Sequence, residues 1–206
     1  MKQHHLFLFL IISMHLAGII GLQTSWQWLF QWFTPFHILA MAGILLWPHR
    51  ADRRYLAAAG AVALATWLIE AIGVNTGLIF GAYTYGHTLG IQLAGTPLLI
   101  GVNWVLLSFA IGHLLGNFPE HPLVKAALAA TLMVGTDVLI EPVAMAFDLW
   151  DWQDGNIPHQ NYLGWWMVSF VLFAGLFQWV RFPRNVYAAW ILIAQILFFL
   201  TLGSLL

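Results

Sequence analysis

Residues 123–146 read LVKAALAATLMVGTDVLIEPVAMA, an apolar run with one lysine near its start and two acids, Asp137 and Glu141, towards its end. A run of about 20 apolar residues crosses a hydrocarbon core of about 30 Å as a helix. Comparable runs occupy 6–22, 29–47, 56–79, 97–115, 163–181 and 186–206, which predicts an all-α, polytopic membrane bundle of about seven transmembrane helices. Composition agrees. Of 206 residues 61% are hydrophobic, 16% aromatic and only 7% charged, against about 25% charged in a soluble domain. Too few charges remain to coat a soluble globule, and residues 1–206 are expected to form a single integral membrane domain. The chain has no cysteine, which excludes disulfides, thiolate nucleophiles and cysteine metal sites. A net charge of -1 without a basic run argues against nucleic acid as a partner.

The first run follows Lys2 and resembles a signal peptide in length, but His15-Leu16-Ala17-Gly18-Ile19 lacks a clear cleavage pattern, so it is expected to stay as a helix. Threading the charges through seven crossings puts Lys2, Arg50, Arg53, Arg54, Lys125, Arg181 and Arg184 on one side. By the positive-inside rule that side is the cytoplasm and the N-terminus lies inside. The opposite side holds an uncharged connection between the third and fourth spans and an acidic one containing Asp148, Asp151 and Asp154.

Three acids lie within spans: Glu70, Asp137 and Glu141. Each costs about 2.5–3.5 kcal/mol on insertion scales, an expense that usually marks function. At a rise of 1.5 Å per residue, Glu70 and Asp137 each lie about 21 Å from the inner ends of their spans, and Asn103 about 9 Å below Pro97. The three polar groups share one layer in the outer third of the membrane. Asp137 and Glu141, four apart, share a helix face, and Pro142 frees the Val138 carbonyl and can bend the helix there. The bland alternative is that the carboxyls are hydrogen-bonded groups fixing helix contacts.

Gly73, Gly77 and Gly81 form a small-residue stripe that would admit a neighbouring helix or a flat polyene, and such stripes also serve helix packing alone. Trp26, Trp28, Trp32 and Trp47 read as interfacial or lipid-facing residues, whereas Trp150, Trp152, Trp165 and Trp166 cluster beside the acidic layer. The nine histidines lack the paired spacing that membrane di-iron enzymes need. His15, His37 and His113 read as packing residues, and no metal site is expected. A retinal protein would need a lysine in its last span, and 186–206 has none.

Two signatures carry a resemblance. The first is Glu70-x-x-Gly73-x-x-Thr76-Gly77-x-x-Phe80-Gly81-x-Tyr83-x-Tyr85, with Gly90, Pro97 and Trp104. The second is Asp137-x-x-Ile140-Glu141-Pro142, Trp150-x-Trp152 and Ile157-Pro158-x-x-Asn161-Tyr162-Leu163-Gly164-Trp165. Together, over 70–166, they resemble the carotenoid hydratase family of integral membrane proteins, which includes bisanhydrobacterioruberin hydratases and carotene 1',2'-hydratases. Glu141 stands where that pattern has Asp, and Tyr162 where it has Phe.

The resemblance implies addition of water across the terminal double bond of an acyclic carotenoid, giving a tertiary alcohol, with no metal, nucleotide or redox cofactor. It further implies the cytoplasmic membrane of a bacterium or archaeon, with membrane lipid around the chain and room for association with other carotenoid biosynthesis enzymes. The buried acids suit this chemistry: a carboxyl held in a membrane pocket can protonate an alkene, a second can deprotonate the attacking water, and aromatic faces stabilise the cation. Asp137 is the expected acid and Glu70 the water-orienting base, with Glu141 a rival for either role. Tyr83, Tyr85, Trp104, Trp150, Trp152 and Trp165 are the expected pocket aromatics, and Asn103 and Asn161 the partners of water or carboxyl. A lycopene-type cyclase, which shares the protonation step, and a non-catalytic carotenoid-binding or transport bundle are the alternatives.

Overall fold

Asp52 opens one helix of the bundle, its side chain accepting the Arg54 and Tyr55 backbone N–H groups at 3.0 and 3.1 Å, as an N-cap should. Asn185 opens another, accepting from the Tyr187 N–H while its amide donates to Leu45 O. The computed structural model, which describes residues 2–206, contains seven helices: α1 (Lys2–Leu22), α2 (Gln27–Leu46), α3 (Arg53–Thr76), α4 (Leu99–Leu115), α5 (Pro122–Ala146), α6 (His159–Trp179) and α7 (Val186–Ser204). Six are long and apolar enough to cross a membrane. The exception is α4, with 17 residues.

The shortness of α4 has a packing reason. It contacts α2, α3, α5, α6 and α7, and every residue from Trp104 to His113 is buried. A helix sheathed by protein need not match the hydrocarbon thickness that lipid-facing helices must span. Trp26, Trp28, Trp32 and Trp47 instead point outward, as a lipid-facing reading requires.

At one end of the bundle the long connections α3–α4 and α5–α6 meet. They contribute the short strands β1 (Tyr83–Tyr85), β2 (Gln92–Leu93), β3 (Thr96–Pro97) and β4 (Trp150–Trp152). β1 and β4 form an antiparallel ladder in the register Tyr83↔Trp152, Thr84↔Asp151 and Tyr85↔Trp150, and β2 pairs with β3. Backbone bonds continue the first ladder, from Gly86 N–H to Leu149 O at 2.9 Å and from Thr88 N–H to Asp148 O at 3.2 Å. His87 N–H donates to the Asp148 carboxylate at 2.9 Å.

The ladder corrects two expectations. The third span stops at Thr76, where Gly77 adopts φ 67 and its N–H closes on Gly73 O at 2.8 Å, the left-handed cap that ends many helices. Gly73, Gly77 and Gly81 therefore do not form a stripe on one helix. Phe80 folds back so that a Cβ on Gly73 would lie 2.8 Å from its ring. The fourth span likewise begins only at Leu99, because Thr96 and Pro97 are in β3.

Candidate active site

Strand periodicity builds the centre. Successive side chains alternate between faces of a ladder, so Tyr83 and Tyr85 point the same way as Trp152 and Trp150, into the bundle, while Thr84 and Asp151 face out. Both phenols donate to Glu70 Oε2, at 2.6 and 2.7 Å. Trp104 Nε1–H, from α4, donates to Glu70 Oε1 at 2.8 Å. Trp150 and Trp152 donate through their indole N–H groups to Glu141 Oε2 at 3.0 and 2.8 Å.

Asn161, in the first turn of α6, joins the remaining pair. Its Nδ2 donates to Asp137 Oδ2 at 2.8 Å and to Glu141 Oε1 at 2.9 Å. The spacing of four between Asp137 and Glu141 makes this possible, since both project from one face of α5. All three carboxyls are buried, and Asp137 Oδ1 has no protein partner. Glu70 and Glu141 each collect three neutral donors, and a hydrogen bond to a charged group contributes about 1.5–3 kcal/mol, enough to offset much of the insertion cost. Among the described residues, no lysine, arginine or histidine forms an ion pair with any of the three.

Burial, together with the Glu70 carboxyl beside them, pushes the ionisation of Tyr83 and Tyr85 well above the ordinary phenol range. Both stay donors at any physiological pH. Behind them, Trp104 and Trp165 stack at 4.2 Å with planes 19° apart.

Between the carboxyls lies a cavity of about 20 Å³ lined by Glu70, Glu141, Tyr83, Tyr85, Trp150 and Trp152, with Phe80, Ile100, Asn161 and Trp165 completing the wall. By this measure one water needs about 10–15 Å³ and two to four polar partners. Trp150 also lines a much larger apolar cavity of about 260 Å³ between α1, α2, α5 and α7. That cavity shares Phe36, Thr88 and Leu89 with a groove of about 550 Å³ running along α2 and the α3–α4 connection.

The structure therefore brings together Glu70, Glu141, Asn161, both tyrosines, Trp104, Trp150, Trp152 and Trp165. Asp137 joins them only through Asn161 and does not line the small cavity. Asn103 does not line the small cavity and instead lines the larger one, because successive helical residues are turned by about 100° and Trp104 takes the direction of Glu70. Trp166 lies apart, donating to Thr131 Oγ1 at 3.2 Å and stacking on Phe170. His15 and His113 make packing contacts, to Ile11 O at 2.7 Å and to Tyr55 Oη at 2.6 Å. Sequence reasoning placed Phe80 only within the first signature, with no role at the site, and missed Ile100, since neither carries a polar signal.

A family model described as carotenoid biosynthesis protein matches residues 29–205, six of the seven helices. Over 152 residues the chain is 30% identical to bisanhydrobacterioruberin hydratase of Haloarcula japonica, a match covering 65% of this chain and 50% of that protein. The chain thus spans about half the length of this curated relative. No solved structure matches it. The chain is a helical membrane protein that belongs to the carotenoid biosynthesis protein family.

Proposed function

We propose that the chain is a carotenoid hydratase, adding water to the terminal double bond of an acyclic carotenoid end group. The observation that carries this reading is the water-sized cavity lined by both Glu70 and Glu141, which shares the Trp150 side chain with a large, mostly apolar cavity. The polyene approaches along the groove beside α2 and brings its end group to Trp150. A proton carried by Glu141 passes to the less substituted alkene carbon, leaving a tertiary cation and the Glu141 carboxylate. The water oxygen bonds to that cation and its proton passes to Glu70; return of this proton from Glu70 to Glu141 resets the pair, so that alkene plus water becomes a tertiary alcohol.

Roles follow from position. Three donors hold each glutamate, and what separates them is Asp137: Glu141 shares the Asn161 amide with this second carboxyl and carries the proton, whereas Glu70 shares no donor with another carboxyl and serves as the base. Glu141 lines the cavity and makes contact with substrate. Asp137, whose free Oδ1 can seat a proton, is a positioning group that acts on Glu141 through the shared Asn161 amide. The faces of Trp150 and Trp165 stabilise the cation, an attraction of about 2 kcal/mol or more when desolvated. No redox or metal step is required for this balance. In this reading residues 1–206 act as one membrane domain, with the N-terminus cytoplasmic and the carboxyl layer towards the outer side.

Expression in a lycopene-producing host, with pigments separated by mass, tests it. A gain of one water is the expected result. Unchanged mass with a new chromatographic mobility would mean cyclisation, in which an internal double bond quenches the same cation. Unmodified pigment that co-purifies with the chain would mean binding or transport without turnover.

A further inference from the structure

The large cavity that Trp150 also lines carries one polar seam. Gln31, Thr34 and His37 of α2 all line it, and a spacing of three makes each the neighbour of the next on a helix surface. Phe30, Phe33 and Phe36, one position earlier each time, line it too, so a polar row and an aromatic row run side by side. Asn103 of α4 and Thr88 of the α3–α4 connection add polar groups to the same wall.

The protein does not use up these groups. Gln31 donates one amide hydrogen to Phe147 O at 3.0 Å, and Thr34 donates to Phe30 O at 3.1 Å, which leaves Gln31 Oε1 and the Thr34 lone pairs as acceptors. Among the described residues, the side chains of His37 and Asn103 have no hydrogen-bond partner. All four residues are only half-buried, and none of them holds a closed-off, unpartnered nitrogen or oxygen. Pro35 adds a backbone acceptor. It lies inside α2 and has no N–H, so the Gln31 carbonyl four residues earlier lacks its helical donor.

The seam thus offers donors and acceptors, while no carboxylate, lysine or arginine lines the cavity. That set suits water, which both donates and accepts and needs two to four polar partners. A hydrocarbon lying on the seam would leave the same groups unpaired. Gln31 and Thr88 meet at the Phe147 carbonyl, to which both donate, at the end of the bundle that carries the strands. From Gln31 the row runs about 9 Å along α2 to His37, at 1.5 Å per residue.

We propose that the Gln31–Thr34–His37 row, with Asn103, is a water path leading from the strand-bearing end of the bundle to Trp150 and the carboxyl cavity. Its purpose rests on the hydration reading: each turnover consumes a water, and a cavity sized for one must be refilled. The aromatic row and the hydrocarbon walls beside it are left to the polyene.

The chain has no cysteine, so single cysteines report on single positions. Thr34→Cys, Asn103→Cys and Val171→Cys are placed in lipid nanodiscs and treated with 2-hydroxyethyl methanethiosulfonate, and labelling is followed by mass. Val171 is the lipid-facing control, exposed midway along α6. The thiolate is the reacting form, and a thiol ionises readily only where water solvates the anion. The two seam cysteines are expected to label at least about tenfold faster than Val171→Cys. Seam rates no faster than the control would overturn the proposal. Thr34→Val/Asn103→Leu, which removes two polar groups with little change in volume, is expected to lower kcat for water addition about tenfold with KM for the pigment unchanged. An unchanged kcat would overturn the proposal as well. Thermal unfolding checks that each variant keeps the bundle intact. Labelling needs no turnover, so a chain that adds no water fails the hydratase reading, whereas unlabelled seam cysteines fail the water path.

Discussion

Tyr85 and Trp150 stand directly opposite each other in the β1–β4 ladder, yet they serve different carboxyls. Tyr85 donates to Glu70 and Trp150 to Glu141. The next pair repeats the pattern, with Tyr83 on Glu70 and Trp152 on Glu141. One four-residue face thus holds two acids from α3 and α5 at a fixed separation. Cross-strand pairing ties both acids that line the small cavity to one ladder.

Glu70→Gln and Glu141→Gln should each reduce water addition by about 10²–10⁴-fold, the usual contribution of a positioned acid or base. Glu70→Gln should also lower stability by about 1–3 kcal/mol. Turned towards Trp104, its amide nitrogen meets an N–H that can only donate. Turned towards the tyrosines, it displaces two donors. Product mass and thermal unfolding in nanodiscs check both effects, and a fully active variant would remove its residue from the mechanism.

Asp137→Asn should cost only about tenfold in activity, the worth of one disturbed hydrogen bond, because Asp137 reaches the cavity only through Asn161. Asn161→Leu should cost more than Asp137→Asn, since it removes the donor from both carboxyls at once. A ranking in which Asp137→Asn matches Glu141→Gln would make Asp137 the proton donor itself. The same product assay, run on the three variants side by side, decides.

Gly86→Ala should open the ladder without unfolding the bundle. A Cβ at Gly86 would collide with the Asp148 carbonyl oxygen and carboxyl group, where Gly86 N–H and His87 N–H tie the two connections together. Hydrogen exchange should rise at 83–85 and 150–152 and remain slow within α3 and α5. Activity should fall at least tenfold if the strands hold the acids in place, since small displacements at a reacting centre are costly.

The two tyrosines predict a pH response. Their ionisation is displaced upward in the folded protein, so they resist losing protons that the unfolded chain gives up near about pH 10. The stability that they contribute is complete below that pH and is lost as pH rises through it and beyond. Tyr83→Phe/Tyr85→Phe should show a weaker alkaline loss of stability than the unaltered chain. It should also show unchanged phenolate absorbance in the folded state up to about pH 10, because neither residue ionises there in the unaltered protein.

Much of the centre is legible in the sequence. Seven apolar runs gave seven helices, and the burial cost of Glu70, Asp137 and Glu141 singled them out. The alternation in Tyr83-x-Tyr85 and Trp150-x-Trp152 was visible too, but a three-residue strand in a long connection gives no periodic signal strong enough to separate it from a helix end. Asn103 shows the complementary limit. Counting residues gives an expected depth and no direction, and its direction depends on which side of α4 the other helices occupy.

The sequence by itself determined the membrane class, the helix count, the presence of three acids within apolar spans and the family-like signatures, because hydropathy and insertion cost are properties of local composition. Only the tertiary structure decided that α4 is the sheathed central helix, that Asn161 joins Asp137 to Glu141, and that Trp150 lines both a water-sized cavity and a mostly apolar one. These depend on contacts between residues 9 to 34 positions apart or more. Such contacts form when helices and connections close on one another, and no local pattern encodes which faces will meet.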